Sequence, residues 1–275
     1  LIPVNFAESA EDAIATAIPM CKRHQTALHL VFVREGLNLA IPPGRNSGVF
    51  EMSLAAAMKL QDEFEAQARQ IEHEHSIDCL FHMADGEFHR AVIETANDFR
   101  CDLIILQKSS RDGMLDVIGR NSVYKILKYA TCPVLTIPPG KEVLAFKNIL
   151  FPVRPLVDAL DKLEIALSII KKNQSRVLLF SALDTKSETS DEALVNELTN
   201  RAYFKMSIND VNIEQEMNVT DNMAQEVVNK AVERKSDLII ITATIKKGLT
   251  ARFYKNYTER VIESSPIPVL CVKLK

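Results

Sequence analysis

Short apolar, β-branched runs alternate with longer amphipathic segments along the whole chain. In the first part, apolar runs at 2–5, 27–33, 77–82, 102–107 and 134–137 predict strands, and helical patterns at 9–23, 51–74, 88–99 and 121–129 predict helices. The second part repeats the alternation. Strands are predicted at 149–153, 175–180, 211–216, 237–241 and 269–272, and helices at 157–171, 191–206, 222–233 and 257–263. Several of these strands are apolar throughout, as when helices cover both faces of a sheet. Such an alternation predicts an α/β chain with doubly wound parallel sheets. Ligands of such folds bind beyond the carboxyl ends of the strands. The residues just after each strand therefore matter most.

The chain is written twice. Asp102-Leu-Ile-Ile recurs at Asp237 and Pro133-Val-Leu recurs at Pro268, both 135 residues on. Leu1-Ile-Pro-Val recurs as Leu150-Phe-Pro-Val, 149 residues on. Three anchors in the same order imply a tandem duplication. The extra 14 residues of the first half fit a longer loop around 37–48, where Pro42, Pro43, Gly44 and Gly48 cluster. The run Pro138-Pro139-Gly140-Lys141 reads as a linker. It divides the chain into an α/β domain over 1–139 and a second over 140–275, each with five strands and helices on both faces.

Composition removes several classes. The 275 residues include 33 Lys+Arg and 36 Asp+Glu, a net charge of −3, which argues against a nucleic-acid binder that works by bulk charge. An apolar fraction of 47% with 8 Gly excludes collagen-like and disordered chains. No apolar run reaches the roughly 18 residues of a membrane span, and no signal peptide is visible. Cys21, Cys79, Cys101, Cys132 and Cys271 are scattered, with no Cys-x-x-Cys pair. They read as reduced, mostly buried thiols in a cytoplasmic protein.

The end of each half is its most distinctive text. Half one reads Asp102-Leu-Ile-Ile-Leu-Gln-Lys-Ser-Ser-Arg-Asp-Gly113, then Val123 to Cys132-Pro-Val-Leu135. Half two reads Asp237-Leu-Ile-Ile-Ile-Thr-Ala-Thr-Ile-Lys-Lys-Gly248, then Glu259 to Pro268-Val-Leu270. With the Gly86-x-x-x-x-Ala-Val-Ile stretch, these segments resemble the universal stress protein family in its tandem two-domain form. The resemblance covers nearly the whole chain, twice and in register. It implies a five-stranded parallel sheet in each half, with the halves paired through the strands at 134–137 and 269–272. That arrangement is an internal pseudo-dimer. Whether two chains associate further as a homodimer stays open.

The resemblance also implies where a nucleotide would sit. In nucleotide-binding members a Gly-x-x-Gly-x9-Gly-Ser/Thr motif follows the fourth strand, and an Asp follows the first. Glycines let backbone approach phosphates, and amides at a helix start hold the anion. Here the three glycine positions hold Gln107, Ser110 and Arg120 in half one, then Asn121. In half two they hold Thr242, Ile245 and Lys255, then Asn256. The first-strand acid is replaced by Asn5 and by Arg154. A non-glycine residue forced into a left-handed conformation costs roughly 1–2 kcal/mol. The family's ATP mode is therefore expected to be weak or absent.

Basic residues gather where the phosphates would lie, among them Lys108, Arg111 and Arg120 in half one and Arg154, Lys246, Lys247 and Lys255 in half two. They could hold an anion by charge, or form a solvated rim. Half two carries +2 against −5 for half one, which makes its cleft the better candidate. His73, His75, Cys79, His82 and His89 crowd one stretch, but their spacing on a helix end and a strand predicts no metal site. Ser109 and Ser110 lack a nucleophile elbow. Taken with the resemblance, the expectation is a non-enzymatic stress-response protein acting through an unknown protein partner or a small regulatory ligand, with no required cofactor, no nucleic acid and no membrane. The alternative is a sensor that binds adenine nucleotide through basic residues in place of the glycine loop.

Overall fold

The computed structural model describes residues 1–4, 10–34, 47–108, 120–156, 159–243 and 257–273, with side chains from Met58 onward in the second helix and from Ser122 onward in the fourth. In the first half the order is β1 (Ile2–Val4), α1 (Glu11–His24), β2 (Leu28–Arg34), α2 (Ser47–His75), β3 (Cys79–Asp85), α3 (Phe88–Asp98), β4 (Ile104–Gln107), α4 (Arg120–Tyr129) and β5 (Val134–Ile137). The second half follows with β6 (Asn148–Val153), α5 (Leu163–Asn173), β7 (Arg176–Asp184), α6 (Thr189–Ser207), β8 (Asn212–Thr220), α7 (Met223–Glu233), β9 (Leu238–Ala243), α8 (Tyr257–Ser264) and β10 (Val269–Lys273).

Seven strands form one sheet in the order β4-β5-β10-β9-β6-β7-β8, and three form another in the order β1-β2-β3. Among the described residues all pairings are parallel except one. β5 and β10 run antiparallel, with Leu135 opposite Leu270. The last strands of the two halves thus meet, and each covers the other's edge. β1, β2 and β3 of half one form the smaller sheet, and β1 lies beside β4. Its link to β4 consists of the Leu1 amine donating to Leu103 O (2.8 Å) and Ile105 N donating to Leu1 O (2.8 Å).

Strand residues alternate between two cores, as the period of two demands. Leu238, Ile240, Leu270 and Val272 face the core shared with α1, α2, α5 and α6. Ile239, Ile241, Val269 and Cys271 face the core shared with α3, α4, α7 and α8. Helices therefore cover both sheet faces. The repeat extends to the backbone. Gln25 and Gln174 take φ of 55° and 51° just after α1 and α5, and Arg100 and Lys235 take 49° and 51° beyond α3 and α7. These pairs keep the 149- and 135-residue offsets of the sequence repeat.

Several predicted boundaries move: β3 ends at Asp85, β7 at Asp184 and β8 at Thr220, each beyond the expected strand, and two helix starts shift. α2 begins at Ser47, so Gly48 is helical rather than part of the expected loop, and 35–46 lie outside the described residues. α5 begins at Leu163 instead of 157. Turns replace its first part, with Ala159 N bonding Leu156 O (2.9 Å) and Leu163 N bonding Leu160 O (2.8 Å).

Candidate functional site

The carboxyl ends of β6 and β9 converge on a cluster of half-two residues. Arg154 directly follows β6 and is 9% exposed. Its guanidinium carbon lies 3.6 Å from the centroid of Tyr257, the first residue of α8. Its Nη2 points at Thr242 O, 3.5 Å away. Burial lowers the Arg154 pKa from its ordinary value. The Tyr257 hydroxyl is buried with no hydrogen-bond partner among the described residues, and burial pushes its pKa up to about 12.

Behind this stack lies Lys162, only 2% exposed. Its ammonium donates to Pro152 O at 2.5 Å and sits 4.1 Å from the Phe151 ring centroid. Burial, then the neighbouring Arg154 charge, pull its pKa well below that of an ordinary lysine. It has no acidic partner among the described residues. A lysine buried this way is costly unless something compensates it. Lys162 escaped the sequence reading because it sits in an amphipathic pattern where lysines are expected outside. The 149-residue offset gave a signal: it superposes Lys162 on Ala13, a fully buried position.

The first glycine position of the motif has the same structural use in both halves. In half one, Gln107 ends β4, its Oε1 accepts from Ala13 N (3.2 Å) and its Nε2 donates to Asp12 Oδ2 (3.1 Å). The same Asp12 oxygen accepts from Gly140 N at 2.7 Å. In half two, the Thr242 hydroxyl donates to Ala159 O at 3.1 Å. Each side chain ties the end of the fourth strand to the segment after the first, where glycine would leave a gap.

Lys108 is not on a ligand rim. Its ammonium donates to Ile262 O (2.7 Å), Ser265 O (3.0 Å) and Glu263 O (3.3 Å), carbonyls at the end of α8. Lys273 makes the reciprocal contact, donating to Ala130 O beyond α4 at 3.3 Å. Each half thus supplies a cation to the carboxyl end of the other's last helix, where the helix dipole favours positive charge. Arg120 and Asn121 open α4. Asn5, Ser110, Lys246, Lys255 and Asn256 lie outside the described residues, as do Arg111 and Lys247.

The histidine-rich stretch forms no group of three metal ligands among the described residues. Instead His82 Nε2 and His29 Nδ1 share a hydrogen bond of 2.8 Å, and His82 stacks on Phe99 with centroids 3.9 Å apart. His89 pairs with Glu87 at 3.0 Å. Cys79 lies in the core.

The model of the universal stress protein family matches residues 1–138 and again residues 145–273. The chain belongs to the universal stress protein family. Its two matched copies coincide with the two structural halves. A universal stress protein from Archaeoglobus fulgidus DSM 4304 has a similar fold across 99% of this chain and 95% of its own, with a TM-score of 0.74 at 15% identity. A functionally unknown protein from Pseudomonas aeruginosa PAO1 aligns over 99% of this chain and 92% of its own, with a TM-score of 0.60 at 18% identity. At these identities the likeness is one of fold. No curated protein matches the chain. Among the described residues no helix is long and apolar enough to cross a membrane.

Proposed function

We propose that this universal stress protein acts without catalysis in the cytoplasm, through a protein partner or a small regulatory ligand, and that the family's ATP mode is weak or absent. The observation that carries this reading is the Arg154–Tyr257 stack. A guanidinium lies over a ring at the strand end where nucleotide-binding members keep an acid. The ties from Gln107 and Thr242 support it, because each puts a side chain where the motif has glycine. Five free cysteines suit a reducing compartment. Native mass spectrometry of gently purified protein tests the reading. A mass equal to the bare chain agrees with it, and a co-purifying adenine nucleotide contradicts it.

A second reading has one specific observation in its favour. Lys162 and Arg154 place two buried cations beside each other. An anionic group bound there would neutralise the Lys162 ammonium. In that case the ligand is held by charge instead of by backbone amides, and Lys162→Met abolishes its binding.

A further inference from the structure

Cys101 and Cys132 lie at the amino ends of neighbouring strands, the end of β4 opposite Gln107. Cys101 precedes β4 by three residues and Cys132 precedes β5 by two. The two strands are parallel, with Ile104 opposite Val134. The ladder runs one step further back, where Ile104 N donates to Pro133 O at 3.1 Å. Both approaches are fixed to the end of α3. Cys101 N donates to Ala96 O at 2.8 Å, and the Thr131 hydroxyl donates to Asn97 Oδ1 at 2.6 Å.

Both thiols are free and partly exposed, whereas Cys21, Cys79 and Cys271 are buried. Both pack against the same core, and they lie within electrostatic reach of each other. Adjacent strands run about 4.8 Å apart, and a disulfide needs Cα atoms roughly 4.4–6.8 Å apart. Continued back from Ile104 and Val134, the register sets Cys101 opposite Thr131, so Cys101 and Cys132 are diagonal neighbours where the two strands begin.

We propose that Cys101 and Cys132 form a reversible disulfide when the protein meets a hydroperoxide. The Cys101 thiolate attacks the terminal peroxide oxygen and the O–O bond breaks. The leaving oxygen takes a proton and departs as water or alcohol, and Cys101 becomes a sulfenic acid. The Cys132 thiolate then attacks that sulfur, the S–O bond breaks, and hydroxide leaves as water once protonated. The two thiols together lose two electrons and two protons, and the peroxide is reduced. Burial keeps both thiols protonated more than a free cysteine, so the response belongs to high peroxide concentrations. A small thiol reductant reverses it by exchange.

The test uses the full chain treated with hydrogen peroxide, then alkylated, digested and read by mass spectrometry. The expected result is a Cys101–Cys132 linked peptide, the loss of two alkylated sites, and recovery of both with dithiothreitol. In Cys132→Ser the link is absent and a dimedone probe labels Cys101. A Cys21–Cys79 link in its place, or five alkylated cysteines in natively folded protein after millimolar peroxide, overturns the proposal.

Discussion

The guanidinium of Arg154 rests on the face of Tyr257, 3.6 Å from the ring centroid. Arg154 directly follows the first strand of half two and Tyr257 begins its last helix. The stack therefore joins two elements about a hundred residues apart in sequence. A desolvated cation–π contact contributes about 2 kcal/mol. Arg154→Ala is expected to destabilise the chain by roughly that amount in urea denaturation. An unchanged midpoint would mean that the stack carries no weight.

Lys162 has the opposite sign. Its folded pKa is lowered, so the unfolded chain binds more protons in the window between that pKa and about 10.4. The penalty is fully present below this window and disappears as pH rises through it. Wild-type stability should therefore increase with pH across the window. Lys162→Met removes both the penalty and the slope. Replacing buried charge with packed apolar atoms stabilises by about 1–4 kcal/mol, which denaturant midpoints at neutral pH will show. A destabilised variant would indicate that the ammonium has an anionic partner.

Lys108→Ala leaves three carbonyls at the end of α8 without their donor. Hydrogen bonds from charged groups contribute about 1.5–3 kcal/mol, and a loss in that range is expected by chemical denaturation. Protection of the last turn of α8 against hydrogen exchange should fall at the same time. A wild-type exchange pattern would refute the capping role.

The His29–His82 pair predicts acid sensitivity. Burial, then the neighbouring His29, lower the His82 pKa to about 4. The folded state thus keeps His82 neutral where the unfolded chain takes up a proton near 6.5. The stability this contributes is complete above about 6.5 and is lost as pH falls towards 4. His82→Phe should flatten the pH dependence of the denaturation midpoint over that interval, and an unchanged slope would contradict the assignment.

The duplication was legible because its anchors are structural. The Asp237 carboxylate accepts from Lys147 N (2.9 Å) and Asn148 N (2.8 Å), which fixes the start of β9 against β6. The apolar run after it serves two cores at once, so every residue is constrained. The pairing of 134–137 with 269–272, expected from the family resemblance, is present as β5 against β10. The use of Lys108 was hidden because its carbonyl partners lie 154 to 157 residues away in the other half. Local spacing placed it on a rim, and only the packing of the halves shows what it caps. The start of α5 was misplaced for a related reason. Lys162 turns inward to Pro152 O, and no helical periodicity signals an inward lysine.

The most direct measurement of the central claim is calorimetric titration of the full chain with ATP, beside Arg154→Ala. The account predicts no saturable heat in the micromolar range for either protein. Saturable micromolar binding by the wild type that Arg154→Ala abolishes would contradict it, and would show that a stacked arginine holds the nucleotide.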